Sequence, residues 1–191
     1  MQLVLASTSP YRLEILRKLP LPFQTDSPHI DESPLASESP EQLVKRLAEA
    51  KARAVAVRHP NSLIIGSDQV AVLKGEILGK PGNHANAVAQ LQKASGQQVI
   101  FNTGLCLLNS ASGNAQVSCV PFIVKFRALS DEQIDRYLQH ETPYNCAGSF
   151  KSEGLGITLF EKLIGDDPNT LIGLPLIELV KMLEKEGIIL P

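Results

Sequence analysis

The chain has 191 residues, of which 43% are hydrophobic and 20% are charged, a composition typical of a soluble globular domain. This hydrophobic content excludes an intrinsically disordered chain, because enough apolar surface is available to offset the conformational entropy of folding. The 18 basic and 20 acidic residues give a net charge of −2, which excludes the electrostatic footprint of a protein for polymeric nucleic acid or anionic membranes. Any nucleic-acid chemistry is therefore expected to involve a small nucleotide.

The first part of the sequence predicts two strands, two helices and a long loop. Residues 3–6 have the pattern of a short buried strand, and the Ser-Pro pair that follows predicts an N-cap and the first residue of a helix. Residues 23–25 are consistent with a second strand, and the proline- and serine-rich residues 27–40 predict a loop. A capping box at residues 39–42 then begins a long amphipathic helix.

The rest of the sequence predicts a strand-rich middle and a helical end. Residues 63–73 are an apolar strand with a polar interruption, and a Lys-Gly turn joins them to a hairpin partner at residues 76–78. The later elements are a helix over about residues 85–94, strands at 98–108 and 116–127, a helix over about 130–139, an irregular glycine-punctuated segment at 146–165 and a helix from 175 to before 187. Helices and strands do not alternate strictly, which favours one α/β domain over residues 1–191 with an elongated mixed sheet flanked by helices.

Cysteine usage and the absence of a targeting pattern predict a cytoplasmic protein. Cys106, Cys119 and Cys146 are widely spaced and form no Cys-x-x-Cys pair, so neither a zinc site nor a disulfide framework is expected. The N-terminus lacks the basic flank and long apolar run of a signal peptide. Residues 94–124 carry no charge, but several amide and hydroxyl side chains interrupt them, which excludes a membrane span.

The first candidate for chemistry is the hydroxyl-rich turn at residues 6–12, between the first strand and the first helix. Ser7, the amide groups at the start of the helix and Arg12 together could cradle an anion. The alternative is an ordinary capped turn, and the motif taken alone favours that alternative.

The second candidate is Asp68, which lies within the polar interruption of an otherwise apolar strand. Charged side chains are seldom buried without a partner or a function, so this position favours an active-site carboxylate. The alternative is an edge strand on which Asp68 is solvated.

The remaining candidates are three charged residues and one loop. Glu32 lies in the long loop, Lys51 on the second helix and Lys80 on a Gly/Pro turn after the hairpin. Each of the three, taken singly, is better explained as an ordinary surface residue. Residues 147–156 carry polar side chains between glycines, which is consistent with a recognition loop or with a plain surface loop.

In this order, these segments resemble those of the Maf family of nucleotide pyrophosphatases, and the resemblance covers nearly the whole chain. The matching segments are residues 5–12, 31–32, 48–52, 65–69, 79–81, 147–154 and 173–175. The resemblance implies a fold similar to that of inosine triphosphate pyrophosphatases, a homodimer and dependence on a divalent metal (Mg²⁺, Mn²⁺ or Co²⁺). It further implies Asp68 as the proton acceptor, Ser7, Arg12, Lys51 and Lys80 as phosphate-binding residues, and Glu32 with Asp68 as metal-binding residues.

Within the family, residues 67–70 and 150–156 resemble the branch that acts on 7-methyl-GTP. The branch that acts on dTTP and UTP tends to carry arginine in place of Tyr11 and glutamine in place of Glu153. A well-known member of the 7-methyl-GTP branch carries tryptophan where this chain has Tyr11. The tyrosine ring offers a smaller stacking face than tryptophan does. An aromatic ring attracts the cationic methylated base, Glu153 could accept both donors of the guanine edge, and Gln69 could read a remaining edge.

The resemblance thus implies a metal-dependent nucleoside triphosphate pyrophosphatase that converts 7-methyl-GTP to 7-methyl-GMP and diphosphate. Two alternatives stay open. One is a dTTP/UTP or broad non-standard nucleotide pyrophosphatase, and the other is a nucleotide-sensing regulator of cell division that binds nucleotide without hydrolysing it.

Overall fold

A seven-stranded mixed β-sheet runs through the computed structural model, which describes residues 1–191. The strands are β1 (Gln2–Ala6), β2 (Phe23–Asp26), β3 (Ser62–Leu73), β4 (Glu76–Leu78), β5 (Gln98–Asn109), β6 (Ala115–Phe126) and β7 (Phe160–Ile164). Their order is β2-β1-β3-β5-β6-β7, with β4 paired to β3. Strand β1 pairs parallel with β2 and β3, whereas the β3–β4 and β6–β7 pairs are antiparallel. The predicted α/β class with a mixed sheet is confirmed.

Six α-helices and two short 3-10 helices accompany the sheet. They are α1 (Pro10–Leu16), α2 (Pro40–Ala56), α3 (His84–Ala94), α4 (Asp131–Glu141), α5 (Pro168–Ile172) and α6 (Leu176–Lys185), with 3-10 turns at Ala147–Ser149 and Leu155–Leu159. The predicted caps are present: the hydroxyl of Ser9 accepts from the backbone of α1, and Ser39 and Ser130 form capping boxes at α2 and α4. None of these helices combines the length and the apolar composition that crossing a bilayer requires.

The chain divides into two compact units. The first comprises Met1–Gln69, Thr103–Val120 and Asp167–Pro191, and the second comprises Val70–Asn102 and Pro121–Asp166. One domain over residues 1–191 stays a prediction.

In the first unit, side chains alternate between the two faces of the sheet, as strand geometry requires. Odd-numbered residues of β1, β3 and β5, such as Leu5 and Ile65, pack with α1 and α6 in one apolar cluster. Even-numbered residues, such as Val4 and Ile64, pack with Ala48, Ala52 and Val55 of α2 in a second cluster. The parity of a residue on these strands therefore decides which helices its side chain meets.

Helix α2 packs against the sheet so closely that its backbone contacts the strands, because two glycines of the sheet face it. A Cβ atom at Gly66 of β3 would lie 2.0 Å from the carbonyl oxygen of Ala48, and one at Gly104 of β5 would lie 2.1 Å from that of Val44. Real Cβ atoms essentially never come so near another atom, so only glycine fits at either position. The two glycines thus set the depth at which α2 lies.

The second unit has an aromatic core. Phe101, Phe126, Phe150 and Phe160 meet edge to face, with ring centroids 4.8–5.6 Å apart and within the range in which such pairs are favourable. All four rings are buried.

The structure adds four elements to the segment predicted as irregular and the residues after it. Residues 146–165 contain both 3-10 helices and strand β7, and the five-residue helix α5 follows. Four of the five residues of β7 are exposed, so the strand shows no alternation and depends on its pairing with β6. Helix α5 carried a readable signal, because Asp167 caps it and Pro168 occupies its first position.

We expect Gly66→Ala to lower the free energy of unfolding by roughly 1–3 kcal/mol, because the added methyl group forces α2 away from the sheet. Urea unfolding measures the change. Gly79→Ala is the matched control, since a Cβ there meets no atom within 4 Å. Equal stability of the Gly66 variant and the parent would contradict the close approach.

Candidate active site

Asp68 lies just beyond the end of a parallel strand pair. Strand β1 pairs with β3 as far as Ile65, and β3 continues past the end of β1 through Gly66 and Ser67 to Asp68. Ligand sites in α/β proteins commonly lie at the carboxyl ends of parallel strands. Strand β3 is not an edge strand, because it pairs with both β1 and β5, and Asp68 is only 7% exposed. The alternative of a solvated edge-strand carboxylate therefore does not hold.

Lys51 joins two carboxylates. Its Nζ atom lies 2.7 Å from Oδ1 of Asp68 and 2.9 Å from Oε1 of Glu32. Lys51 is 5% exposed, whereas the side chain of Glu32 remains more than half exposed. The three residues that sequence reasoning had placed on a loop, a helix and a strand therefore form one cluster.

The local sequence explains why Lys51 reaches this position. The face of α2 that meets the sheet is lined by apolar residues at helical spacing, and Lys51 falls on the same face, next to the small residues Ala48 and Ala52. Because Gly66 and Gly104 bring α2 close, a lysine on this face ends beside the sheet rather than in water. The alternative interpretation of Lys51 as a solvated surface residue therefore does not hold.

The loop that carries Glu32 is anchored to α2. Arg46 makes a two-point contact with Glu38, at 2.6 Å from Nε to Oε1 and 2.8 Å from Nη2 to Oε2, and its Nη2 also donates to the carbonyl oxygen of Ser33. The hydrogen bonds from Arg46 lower the pKa of Glu38 to about 2. Sequence reasoning missed this pair, because nothing in the spacing of the two residues indicates a contact.

Arg12 and Ser7 occupy the turn between β1 and α1. The Nε atom of Arg12 donates to the carbonyl oxygen of Gly173 at 2.8 Å, and the buried Ser7 hydroxyl accepts from the backbone N–H of Ser9 at 3.1 Å. Burial lowers the pKa of Arg12, while the charges of Asp68 and Glu32 raise it. Both carboxylates thus lie near enough to Arg12 to interact electrostatically. Tyr11 is half-buried on the first turn of α1.

The neighbours of Asp68 along β3 are bound to the protein itself. The Ser67 hydroxyl lies 2.9 Å from the carbonyl oxygens of both Gly104 and Gly173. The amide nitrogen of Gln69 donates to the Thr103 hydroxyl and the Thr170 carbonyl, each at 2.8 Å. The N–H groups of the Gln69 amide are therefore already used, and only its amide oxygen could contact a nucleotide base.

In the second unit, Lys80 lies exposed on the loop after β4. Two side chains of α3 hold this loop: Gln90 donates to the Gly79 carbonyl at 3.0 Å, and Asn86 donates to the Pro81 carbonyl at 2.9 Å. The Lys80 backbone is thus fixed on both sides, in agreement with the predicted rigid turn.

Also in the second unit, Glu153 is exposed on a loop that is packed against α4. Oε1 of Glu141 accepts from the backbone N–H of Leu155, and the Tyr137 hydroxyl accepts from the N–H of Lys151. A Cβ at Gly154 would lie 2.7 Å from Oε1 of Glu141, so a side chain there would displace the Glu141 carboxylate. The loop is therefore ordered by α4 while Glu153 itself faces solvent.

The donor set of the cluster fits a hard divalent cation only in part. The structure contains no group of three or more His, Cys, Asp or Glu residues placed to hold a metal ion. Asp68 and Glu32 offer carboxylate oxygens around one point, the Lys51 nitrogen. One or two carboxylates suffice for Mg²⁺ when substrate phosphates and water complete its coordination, so these residues fit a metal that arrives with the substrate.

We expect Lys51→Met to lower the free energy of unfolding by about 3 kcal/mol, because it leaves the buried Asp68 carboxylate without its partner. Adding Asp68→Asn should recover part of this loss, since the unpaired charge is then removed. Urea unfolding of the single and double variants measures both effects.

Lys45→Met on the same helix is the matched control. Its exposed i,i+4 pair with Glu41 should contribute no more than about 0.5 kcal/mol. If the Lys45 and Lys51 variants lose the same stability, the buried pair does not have the importance assigned to it.

Two solved structures share the fold. A Ham1 protein of Staphylococcus aureus has a TM-score of 0.58 at 15% identity, with 97% of this chain and 100% of that chain covered. A HAM1 protein from Coxiella burnetii has a TM-score of 0.53 at 13% identity, with coverage of 97% and 99%. The predicted inosine-triphosphatase-like fold is confirmed.

Two curated relatives are similar over almost their full length, and both are named 7-methyl-GTP pyrophosphatase. The relative from Nitrosococcus oceani is 60% identical over 185 residues, which is 97% of this chain and 93% of the relative. The relative from Alcanivorax borkumensis is 60% identical over 189 residues, with coverage of 99% and 96%. A sequence model of the family described as Maf-like protein matches residues 2–186, and the chain belongs to this family.

Proposed function

We propose that this protein is a nucleoside triphosphate pyrophosphatase that hydrolyses 7-methyl-GTP to 7-methyl-GMP and diphosphate. The observation that carries the proposal is the buried Asp68 carboxylate, paired with Lys51 and within electrostatic reach of Arg12. An acceptor for a proton and a cation for phosphate are the two groups that water attack on a phosphoanhydride needs. The names of the two relatives, each 60% identical, support the choice of substrate.

In the proposed reaction, water attacks the α-phosphorus of the nucleotide. Its oxygen forms the new bond to phosphorus, the bond from the α-phosphorus to the α,β-bridging oxygen breaks, and diphosphate leaves with the electron pair. Asp68 accepts the proton of the attacking water through Oδ2, because Oδ1 contacts Lys51. The contact with Lys51 fixes the carboxylate, and a fixed base is more effective than a mobile one.

Arg12, Ser7 and Lys80 are proposed to bind phosphate. The Nε–H of Arg12 is donated to Gly173, which leaves the two terminal nitrogens with four N–H groups for phosphate oxygens. Lys51 was predicted as a further phosphate-binding residue; its contacts with Asp68 and Glu32 favour a role in fixing the carboxylates.

A divalent cation is part of the proposal, with Asp68 and Glu32 as the residues that would hold it. When bound, Mg²⁺, Mn²⁺ or Co²⁺ supplies positive charge against the charge that develops on the leaving oxygen. A homodimer and a cytoplasmic location stay predictions.

Tyr11 and Glu153 are proposed to select the base. The Tyr11 ring attracts the cationic methylated guanine through its π face, and the Glu153 carboxylate accepts from the two N–H donors of the guanine edge. Gln69 could contribute to base selection only through its amide oxygen, because the N–H groups of its amide are donated to Thr103 and Thr170.

Asp68→Asn tests the reaction. We expect a loss of roughly 10²–10⁴-fold in turnover with largely preserved nucleotide binding, because the amide keeps the shape and removes the base. Diphosphate release from 7-methyl-GTP, with and without Mg²⁺ or Mn²⁺, is the measurement. Asp166→Asn, at an exposed position, is the control. A parent protein that binds 7-methyl-GTP but releases no diphosphate would reject the enzyme and favour a nucleotide sensor.

Glu153→Gln tests the base. One acceptor oxygen becomes an amide donor that faces the guanine N–H groups, and an unpaired polar group costs about 1–3 kcal/mol. We therefore expect activity on 7-methyl-GTP to fall about 5- to 150-fold relative to UTP. A hydrolysis screen of 7-methyl-GTP, GTP, dTTP and UTP measures the order of preference, with Glu76→Gln as the exposed control. An unchanged order would favour the dTTP/UTP or broad-range alternative.

A further inference from the structure

Two side chains of β3 hold a segment that lies about 100 residues further along the chain. The segment comprises Thr170 to Gly173, the end of α5 and the residue after it, and is called here the 170–173 segment. Ser67 approaches the Gly173 carbonyl at 2.9 Å, and Gln69 donates to the Thr170 carbonyl at 2.8 Å. Thr103 of β5 donates to the same Thr170 carbonyl at 3.1 Å. The segment is thus hydrogen-bonded directly to the middle of the sheet.

The same segment holds the arginine of the candidate active site. The Gly173 carbonyl that meets Ser67 also accepts from Nε of Arg12 at 2.8 Å. Gly173 has a backbone φ of +118°, a conformation that side-chain-bearing residues rarely adopt. A Cβ there would lie 3.4 Å from the Arg12 Nε atom, an ordinary van der Waals distance, so the backbone conformation is what favours glycine at this position.

Side chains alternate between the two faces of a strand, which explains why Ser67 and Gln69 can contact the 170–173 segment on either side of Asp68. Residues 67 and 69 point to the face of the sheet where α1 and α6 pack, as Leu63 and Ile65 do, whereas Asp68 points to the face of α2, as Ile64 does. One strand therefore presents the proposed base to Lys51 on one side. On the other side it presents two hydrogen-bonding groups to the 170–173 segment.

We infer that Ser67 and Gln69 are positioning residues for Arg12: they fix the 170–173 segment so that the Gly173 carbonyl orients the guanidinium. The catalytic importance of this orientation rests on the proposed function, in which Arg12 binds phosphate. The geometric part does not, because these contacts join residues of the protein itself. A hydrogen bond at Nε fixes the orientation of the guanidinium plane, and bidentate phosphate binding depends on that orientation.

Hydrogen exchange at the Arg12 Nε proton tests the inference without substrate. In the ¹⁵N-labelled full-length protein, the Nε–H resonance of Arg12 is identified by its loss in Arg12→Lys. Ser67→Ala and Gln69→Leu each remove a donor to the segment, and we expect each to accelerate exchange of this proton at least fivefold. Gln69 is only half-buried, so its leucine variant keeps the test open should Ser67→Ala fail to fold.

Ser110→Ala is the matched control. The Ser110 hydroxyl also lies near two backbone carbonyls of the first unit, 2.7 Å from His59 and 3.1 Å from Ser62, but neither leads to Arg12. Its variant should leave the exchange of the Arg12 proton at the parent rate. Acceleration of the same size in this control would indicate general loosening and overturn the inference, as would a parent-like rate in both Ser67→Ala and Gln69→Leu.

Kinetics then separate positioning from base selection. In both variants kcat/KM should fall by roughly 5- to 100-fold for 7-methyl-GTP and GTP alike, because phosphates are common to the two substrates. A fall in kcat/KM confined to one nucleotide would overturn the positioning role and assign Gln69 to base selection instead. Absence of diphosphate release from the parent would overturn the proposed function alone, since the exchange measurement still decides the positioning of Arg12.

Discussion

The buried ion pair between Lys51 and Asp68 is the interaction on which the arrangement of the site depends. Removing two charges from water is expensive, and such a pair is tolerated only where its geometry is good and further polar partners are present. The second carboxylate of Glu32 on the same nitrogen, and the charge of Arg12 nearby, supply those partners. The pair exists because Gly66 lets α2 lie against β3 at backbone distance. Any side chain at that position would separate the lysine from the aspartate.

The period-two geometry of a strand allows a single segment to serve two sets of contacts. Asp68 faces α2, and the residues on either side of it face the helices of the opposite layer. This division explains why a polar Ser-Asp-Gln sequence is stable in the interior of an apolar strand. Each polar group meets a partner from a different part of the chain, so none of the three requires water.

The sequence predicted local structure well and long-range contacts poorly, for reasons visible in particular residues. Caps, strand alternation and the hairpin turn involve neighbours within a few residues, so Ser9 and Ser39 could be assigned directly. Family resemblance brought Glu32, Lys51 and Asp68 into one hypothesis, but not the fact that the lysine joins the carboxylates. The Arg12–Gly173 hydrogen bond spans 161 positions, and no pattern in one sequence encodes such a contact. Strand β7 was missed because its exposed residues lack alternation.

The charges of the cluster explain why substrate binding would need a cation beyond it. Arg12 and Lys51 carry two positive charges, and Asp68 and Glu32 carry two negative ones, so the cluster of the first unit is electrically neutral. A nucleoside triphosphate adds about four negative charges, partly offset by one positive charge where the base is methylated, and an uncompensated buried charge is strongly unfavourable. Asp68 and Glu32 would hold a divalent cation that binds with the phosphates, and the cation would supply this charge while Lys51 keeps the Asp68 carboxylate in place.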